Sequence, residues 1–288
     1  MDNLIYDLKN LCHRSRDGAY STQGDRFNIL RLCANELIEM GFLHMHATSL
    51  KSKHVDALLE HWKDKELSSG TIKNRMAALR WWAEKINRSG IISKDNDSLG
   101  IDRRSYVTPE NKAQILDEDK LRHITDQHTQ MSLRLQAAFG LRREESIKFN
   151  VSYADQGDTI RLKSSWTKGG KARTVLVRTE MQRQLLNELH QFAGKGSLIP
   201  QEKSYIQQRH VYEGQCKQVG LSNMHGLRHQ YAQERYEELT GWKAPKAGGL
   251  KQKMLSPKER IIDQQARQTI SHELGHERID IVAVYIGT

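Results

Sequence analysis

The apolar positions of roughly the first 90 residues recur at helical spacing rather than in alternation, which predicts a bundle of amphipathic helices. In FNILRLCANELIEMG, Leu30, Cys33, Ala34, Leu37 and Ile38 share one face, and Gly41 is placed to end the helix. A further helix is expected in HVDALLEHWKDK. Ser68-Ser69-Gly70 then breaks the chain before TIKNRMAALRWWAEKINR, where Ile72, Met76, Leu79, Ala83 and Ile86 form a core stripe. Lys73 and Arg80 lie on its flank, either solvated or in reach of phosphates, and Trp81-Trp82 read as core.

The periodicity then fades. Residues 91–113 are polar and rich in turn formers, so they are expected to link two domains, 1–90 and 114–288. The second domain reads as mixed. A helix is expected through MSLRLQAAFGLRREESIKF, then a hairpin formed by DTIRLKSSW, a Thr-Lys-Gly-Gly turn and ARTVLV. Helices follow in TEMQRQLLNELHQF, in YIQQRHVYEGQCKQV and from about Gly226 to Leu239. GWKAPKAGGLKQKML should be a loop, and Ser256-Pro257-Lys258-Glu259 is a capping box that should start another helix.

Composition narrows the function. No window approaches the ~18 apolar residues of a membrane span, and the N-terminus does not read as a signal peptide. Cys12, Cys33 and Cys216 share no close spacing and read as reduced thiols of a cytosolic protein. The net charge of +10 suits a polyanionic partner. That excess is uneven: residues 1–110 hold 17 Lys and Arg against 15 Asp and Glu, whereas the remainder holds 28 against 20. The second part should therefore grip a polyanion harder.

Six positions carry candidate chemistry. Arg142 stands in AFGLRREES, Lys168 in TKGGKAR, His225 and Arg228 in MHGLRH, His276 in ELGHE and Tyr285 in VAVYIG. Their order and context resemble the catalytic domain of tyrosine recombinases, the phage-integrase family: Gly140-Leu141-Arg142 with Glu145 on a helix, a Lys in a β-hairpin turn, H-x-x-R, Leu274-Gly275-His276, and a Tyr soon after. LSSGTIKNRMAALRWWAEK also resembles that family's core-binding domain, so the resemblance covers nearly the whole chain.

The resemblance implies a mainly α protein: an all-α, SAM-like core-binding domain and an α-rich catalytic domain with a small antiparallel β-sheet, closing as a clamp on duplex DNA. It implies DNA cleavage and rejoining through a covalent phosphotyrosine and a Holliday junction, without metal or cofactor. Four protomers would act on paired core-type sites of a bacterial mobile element or prophage, with an accessory directionality factor as a further partner and the nucleoid as the location. The chemistry suits these residue types. Two guanidiniums, Arg142 and Arg228, can hold the non-bridging oxygens as charge develops. Tyr285 is the expected nucleophile, a phenol that must lose its proton as it attacks. Lys168 is the expected acid for the departing 5′-oxygen. His225 either takes the phenol proton or holds the phosphate, and His276 adds a hydrogen bond to it. Glu145 is expected to hold Arg142 or the helix. Lys73, Arg75, Arg80, Lys171 and Arg173 are the expected DNA-binding residues outside the reacting centre.

Two rival readings compete with this one. His272-Glu273-Leu274-Gly275-His276 matches the H-E-x-x-H zinc-protease pattern, but Ile279 and Val282 occupy the places of the extended motif's Gly and His. A catalytically silent DNA-binding relative should lack one of the six residues, and all six are present. Two departures from the family stand out. Arg228 and His276 are 48 residues apart, roughly twice the usual gap, which marks an insertion at about 239–260. Its Lys243, Lys246, Lys251, Lys253 and Lys258 suggest contact with DNA or a neighbouring subunit. The family's tail beyond the Tyr and its N-terminal arm-binding extension also have no counterpart here, so Tyr285 is expected either to be mobile or to be coupled through another surface, and binding to be confined to core sites.

Overall fold

Spaced leucines and two tryptophans gather the first unit. In the computed structural model, which describes residues 3–288, the chain divides into residues 1–105 and 106–288. Helices α1 (Asn3–Arg14), α2 (Tyr20–Glu39), α3 (Ser52–Asp64) and α4 (Ser69–Lys85) form the first unit. Leu4, Leu8, Leu30, Leu37, Leu58, Trp62, Met76, Leu79 and Trp82 are fully buried there. The break before α4 is narrower than the sequence suggests. Ser68 alone caps it, accepting from the Thr71 N–H at 3.2 Å, so Ser69 and Gly70 make the first helical turn. Trp82 is core, with its indole N–H on the Ala47 carbonyl at 2.8 Å, whereas Trp81 is only half-buried and donates to Asp17.

The polar stretch 91–113 is not one linker. Ile92 and Ile101 are buried in the first unit's core, and Arg80 donates to the Ser93 carbonyl and Asn96 Oδ1, both at 2.9 Å. From Tyr106 the chain belongs to the second unit.

That unit contains α5 (Glu118–Arg122), α6 (Gln127–Phe139), α7 (Arg143–Ile147), α8 (Val151–Ala154), β1 (Thr159–Leu162), β2 (Arg173–Leu176), α9 (Glu180–Ala193), α10 (Tyr205–Gln218), α11 (Gly226–Thr240), α12 (Pro257–Glu273) and α13 (Ala283–Ile286). Strands β1 and β2 pair antiparallel, with Thr159 opposite Leu176 and Leu162 opposite Arg173. Between them lies more than a tight turn: Trp166 is buried within residues 163–172, and the Lys168-Gly169-Gly170 tip follows. The Ser256 cap forms as expected, with Glu259 accepting from the Ser256 N–H at 2.7 Å. Helix α11 packs against α6, α12 and α13. The described residues include no helix long and apolar enough to cross a membrane.

One expected helix is two. Gly140 ends α6 in the left-handed region (φ 61°), and α7 restarts after Arg142. Arg142 is thus the N-cap of a new helix, not a residue within one. A Cβ at Gly140 would lie 2.5 Å from Tyr231 Cδ1, so both the backbone conformation and the close approach require glycine.

Candidate active site

The turn at Gly140 sets the site's first arginine. Arg142 gives its backbone N–H to Glu145 Oε2 and its Nη1 to Glu145 Oε1, both at 2.8 Å. Glu145 is fully buried and also receives Arg173, Nη1 to Oε1 at 2.8 Å and Nη2 to Oε2 at 2.7 Å. Burial pushes the Glu145 carboxyl up, but its bonds to Arg173 and the charges of Arg173, Arg228 and Arg142 outweigh this and hold it at about 2.

The second arginine is wholly interior. Arg228 donates Nη1 to the Gly140 carbonyl at 2.5 Å, Nη2 to the Leu274 carbonyl, and Nε to Tyr285 Oη at 3.4 Å. Two carbonyls at helix ends therefore fix the guanidinium plane. Burial, then the nearby Arg142, lowers Arg228 to about 10, so it stays charged at neutral pH.

Tyr285 is buried beside it. Its Oη lies 3.2 Å from His276 Nε2, and the rings of His225, His229 and His276 surround it at centroid distances of 6.0, 4.7 and 5.5 Å. All three imidazoles are held below their ordinary range, by desolvation first and then by neighbouring cationic side chains: His229 to about 4 and His276 to about 3. They are neutral at pH 7, and a neutral imidazole can accept a proton.

Arg142, Lys168 and His225 line one open cleft of about 830 Å³, together with Tyr205, Tyr212 and Met224. Lys168 is exposed at the hairpin tip, where Gly169 (φ 85°) and Gly170 (φ 69°) let the chain reverse. The six positions thus fall into two joined groups. Three face the cleft, and Arg228, His276 and Tyr285 form the hydrogen-bonded cluster that His225 adjoins.

The expected DNA-binding residues divide. Arg173 is buried, held by Glu145 and by the Glu273 carbonyl at 2.9 Å, so its guanidinium fastens the hairpin to the core. Arg75 is likewise withdrawn: it donates to buried Glu36 at 3.0 Å and lies over the Trp62 ring. Arg80 is spent on Ser93 and Asn96. In each case a carboxylate, carbonyl or amide oxygen far along the sequence captures the guanidinium. Lys73 is half-buried on the flank of α4, and Lys171 is exposed in an ion pair with Glu277.

The zinc-protease pattern does not survive folding. Helix α12 ends at Glu273, and Gly275 (φ 66°) turns the chain, so His272 and His276 do not follow each other on one helix. Glu273 is paired with Arg235 at 3.0 Å and accepts from Tyr231 Oη at 2.9 Å. No cluster of three His, Cys, Asp or Glu side chains suited to a metal occurs among the described residues.

Sequence reasoning missed His229 and Gln233. They follow His225 at i+4 and i+8, a ridge along α11 that meets Tyr285. The spacing was visible; only the partner was not.

Two family models match the chain: one for the N-terminal part of phage integrases over residues 1–90, and one for integrases over residues 103–234. No curated protein sequence matches it. Among solved structures, a lambda integrase dimer bound to a COC′ core site shares 14% identity at TM-score 0.61, covering 96% of this chain and 75% of that one. The Tn1549 transposon integrase in complex with circular intermediate DNA shares 13% at 0.55, covering 100% and 96%. The XerH recombinase bound to difH shares 15% at 0.56, covering 98% and 80%. At such identities the likeness is one of fold. The integrase match ends at residue 234, so His276 and Tyr285 are placed by geometry rather than by that match. With both matched segments in order and this fold around them, the chain belongs to the phage-integrase family of tyrosine recombinases.

Proposed function

We propose that the protein is a site-specific recombinase in which Tyr285 Oη attacks a DNA phosphodiester and forms a 3′-phosphotyrosine. The observation that carries this is the position of the phenol: its oxygen meets both Arg228 Nε and His276 Nε2, in a pocket where each neighbouring imidazole is neutral. A Tyr–O–P bond forms as the P–O5′ bond breaks. Arg142 and Arg228 hold the non-bridging oxygens as their charge rises. The phenol proton passes to a neutral imidazole, with His276 the one already in reach and His225 the one on the cleft wall. Lys168, on its glycine-flanked tip, protonates the departing 5′-oxygen. The phosphotyrosine conserves the bond energy until another 5′-hydroxyl attacks, so the residues present can account for strand transfer without a nucleotide cofactor.

The substrate is duplex DNA with core-type sites, and four protomers exchange strands on a paired set, serving integration or excision of a mobile element. A lambda integrase tetramer bound to a Holliday junction shares this fold at TM-score 0.57. A DNA substrate nicked near the scissile phosphate tests the reading. Wild-type protein should accumulate a covalent adduct that Tyr285→Phe loses, and an adduct persisting in that variant overturns the assignment.

A further inference from the structure

We propose that the segment Gly241–Leu255 is an intramolecular clasp that docks the nucleophile, with Lys246 as its positioning residue. This rests on Tyr285 being the nucleophile. Helix α13 is a single turn of four residues, far too short to hold itself. Its carbonyls need partners from elsewhere. Lys246 Nζ donates to the Val284 carbonyl at 2.8 Å, Gln233 Nε2 to that of Tyr285 at 3.0 Å, and Arg267 Nη1 to that of Gly287 at 2.9 Å. Gln233 and Arg267 stand on the long helices α11 and α12. Lys246 is the one contributed by the segment.

The apolar contacts agree. Ala244 is fully buried in the same cluster as Tyr285, Ile286 and Val282, with Trp242 and Ala247 packed against it. Gly287 (φ 89°) runs so close to the segment that a Cβ would lie 3.0 Å from Pro245 Cβ and 3.1 Å from Lys246 Cγ. The segment also closes on itself: Gly249 N–H donates to the Ala244 carbonyl at 3.0 Å, and a Cβ on Gly249 would overlap the Lys243 carbonyl.

Its foot is fixed through Asp263. That carboxylate accepts from Tyr236 at 2.6 Å, from Gln252 at 3.0 Å and from Arg267 Nε at 2.8 Å, and Trp242 donates to Tyr236 Oη at 3.2 Å. The clasp and the arginine that anchors Gly287 thus share one buried carboxylate. Of the five lysines that suggested a DNA-binding insertion, Lys246 turns inward, while Lys243, Lys251, Lys253 and Lys258 are exposed. The consequence is a nucleophile placed against Arg228 and His276 by residues of its own chain.

The test uses the full-length protein, Lys246→Met and Lys246→Arg. Two readouts are taken: single-turnover adduct formation on the nicked DNA, and nitration of individual tyrosines by tetranitromethane, read by peptide mass spectrometry. Lys246→Met should bind DNA as wild type does, yet form adduct on the order of 10-fold to 100-fold more slowly, as expected when a reacting group is misplaced by about an ångström. Tyr285 should become nitratable while the buried Tyr212 and Tyr231 stay protected, a pattern that general unfolding does not give. Lys246→Arg, which can still reach the carbonyl, should restore both. Unchanged adduct rate and unchanged Tyr285 nitration in Lys246→Met overturn the clasp. If Tyr285→Phe instead retains the adduct, the nucleophile reading fails, and nitration of Tyr285 still reports whether the clasp holds that segment.

Discussion

Arg173 grips Glu145 with both terminal nitrogens, at 2.8 and 2.7 Å, and Arg142 draws on the same buried carboxylate. Arg173 opens β2 and Glu145 lies in α7, so the base of the hairpin that carries Lys168 is fastened to the turn that carries Arg142. One carboxylate thus sets two candidate catalytic groups.

Removing that charge should be severe. Glu145→Gln keeps the shape but leaves two guanidiniums facing an uncharged amide, one of them buried. Breaking one side of a buried pair typically costs ~3–5 kcal/mol, which urea unfolding can measure. The pH dependence follows in sign. The Glu145 carboxyl sits at about 2 when folded against an ordinary 4.5, so its contribution is complete above 4.5 and lost as pH falls toward about 2. Wild type should lose stability across that window, and Glu145→Gln should lose less of what remains.

A second acid transition should begin higher. His229 and His276 are held at about 4 and about 3, against an ordinary 6.5. Between those values the unfolded chain binds protons that the folded chain refuses, so stability is full above about pH 6.5 and declines as pH falls below it. Thermal unfolding from pH 7.5 to 4.5 should show a falling Tm, and His229→Gln should flatten the slope. An unchanged slope in that variant removes His229 from the account.

Arg173 and Lys171 are two residues apart and should behave as opposites. Arg173→Ala should lower Tm sharply, because the buried Glu145 keeps only the partly exposed Arg142 as its cationic partner. Lys171→Ala should leave Tm nearly unchanged, because its ion pair with Glu277 is exposed on both sides. If Lys171 meets a phosphate, its loss should weaken binding uniformly across DNA sequences and reduce the salt slope by about 1. An Arg173→Ala protein with wild-type Tm would contradict the buried pair.

What the sequence made legible was local. Helical periodicity located α2 and α4, the Ser256–Glu259 box located the start of α12, and five short motifs in order picked out six candidate positions, Tyr285 among them. What it hid was long-range pairing. Glu145 and Arg173 are 28 residues apart, Glu36 and Arg75 are 39 apart, and no local pattern distinguishes an arginine bound for a carboxylate from one bound for a phosphate. The insertion hid its pairing for the same reason: its lysines are equivalent in sequence, and only packing against α13 singles out Lys246.

The His272–His276 match makes a further prediction easy to check. Because the helix ends between the two histidines and Glu273 is committed to Arg235 and Tyr231, adduct formation should be unaffected by EDTA or 1,10-phenanthroline. Added zinc should induce no proteolysis. Loss of strand cleavage on chelation, restored by zinc, would count against the whole mechanism.

Gly140 provides the sharpest separation of conformation from contact. Its left-handed backbone resembles that of Gly41, with φ 61° against 87°. An added methyl meets nothing within 4 Å at Gly41 but lies 2.5 Å from the Tyr231 ring at Gly140. Gly41→Ala should therefore lose only the conformational preference, about 1 kcal/mol. Gly140→Ala must also displace either Tyr231, whose hydroxyl is tied to Glu273, or the Gly140 carbonyl, which orients Arg228. Movement of that carbonyl shifts Arg228, the arginine proposed to hold the phosphate. The expected result is a larger fall in Tm and a loss of adduct formation that raising the protein concentration does not recover. Gly41→Ala should retain cleavage, and equal behaviour of the two variants would mean that the close approach at Gly140 does not govern the site.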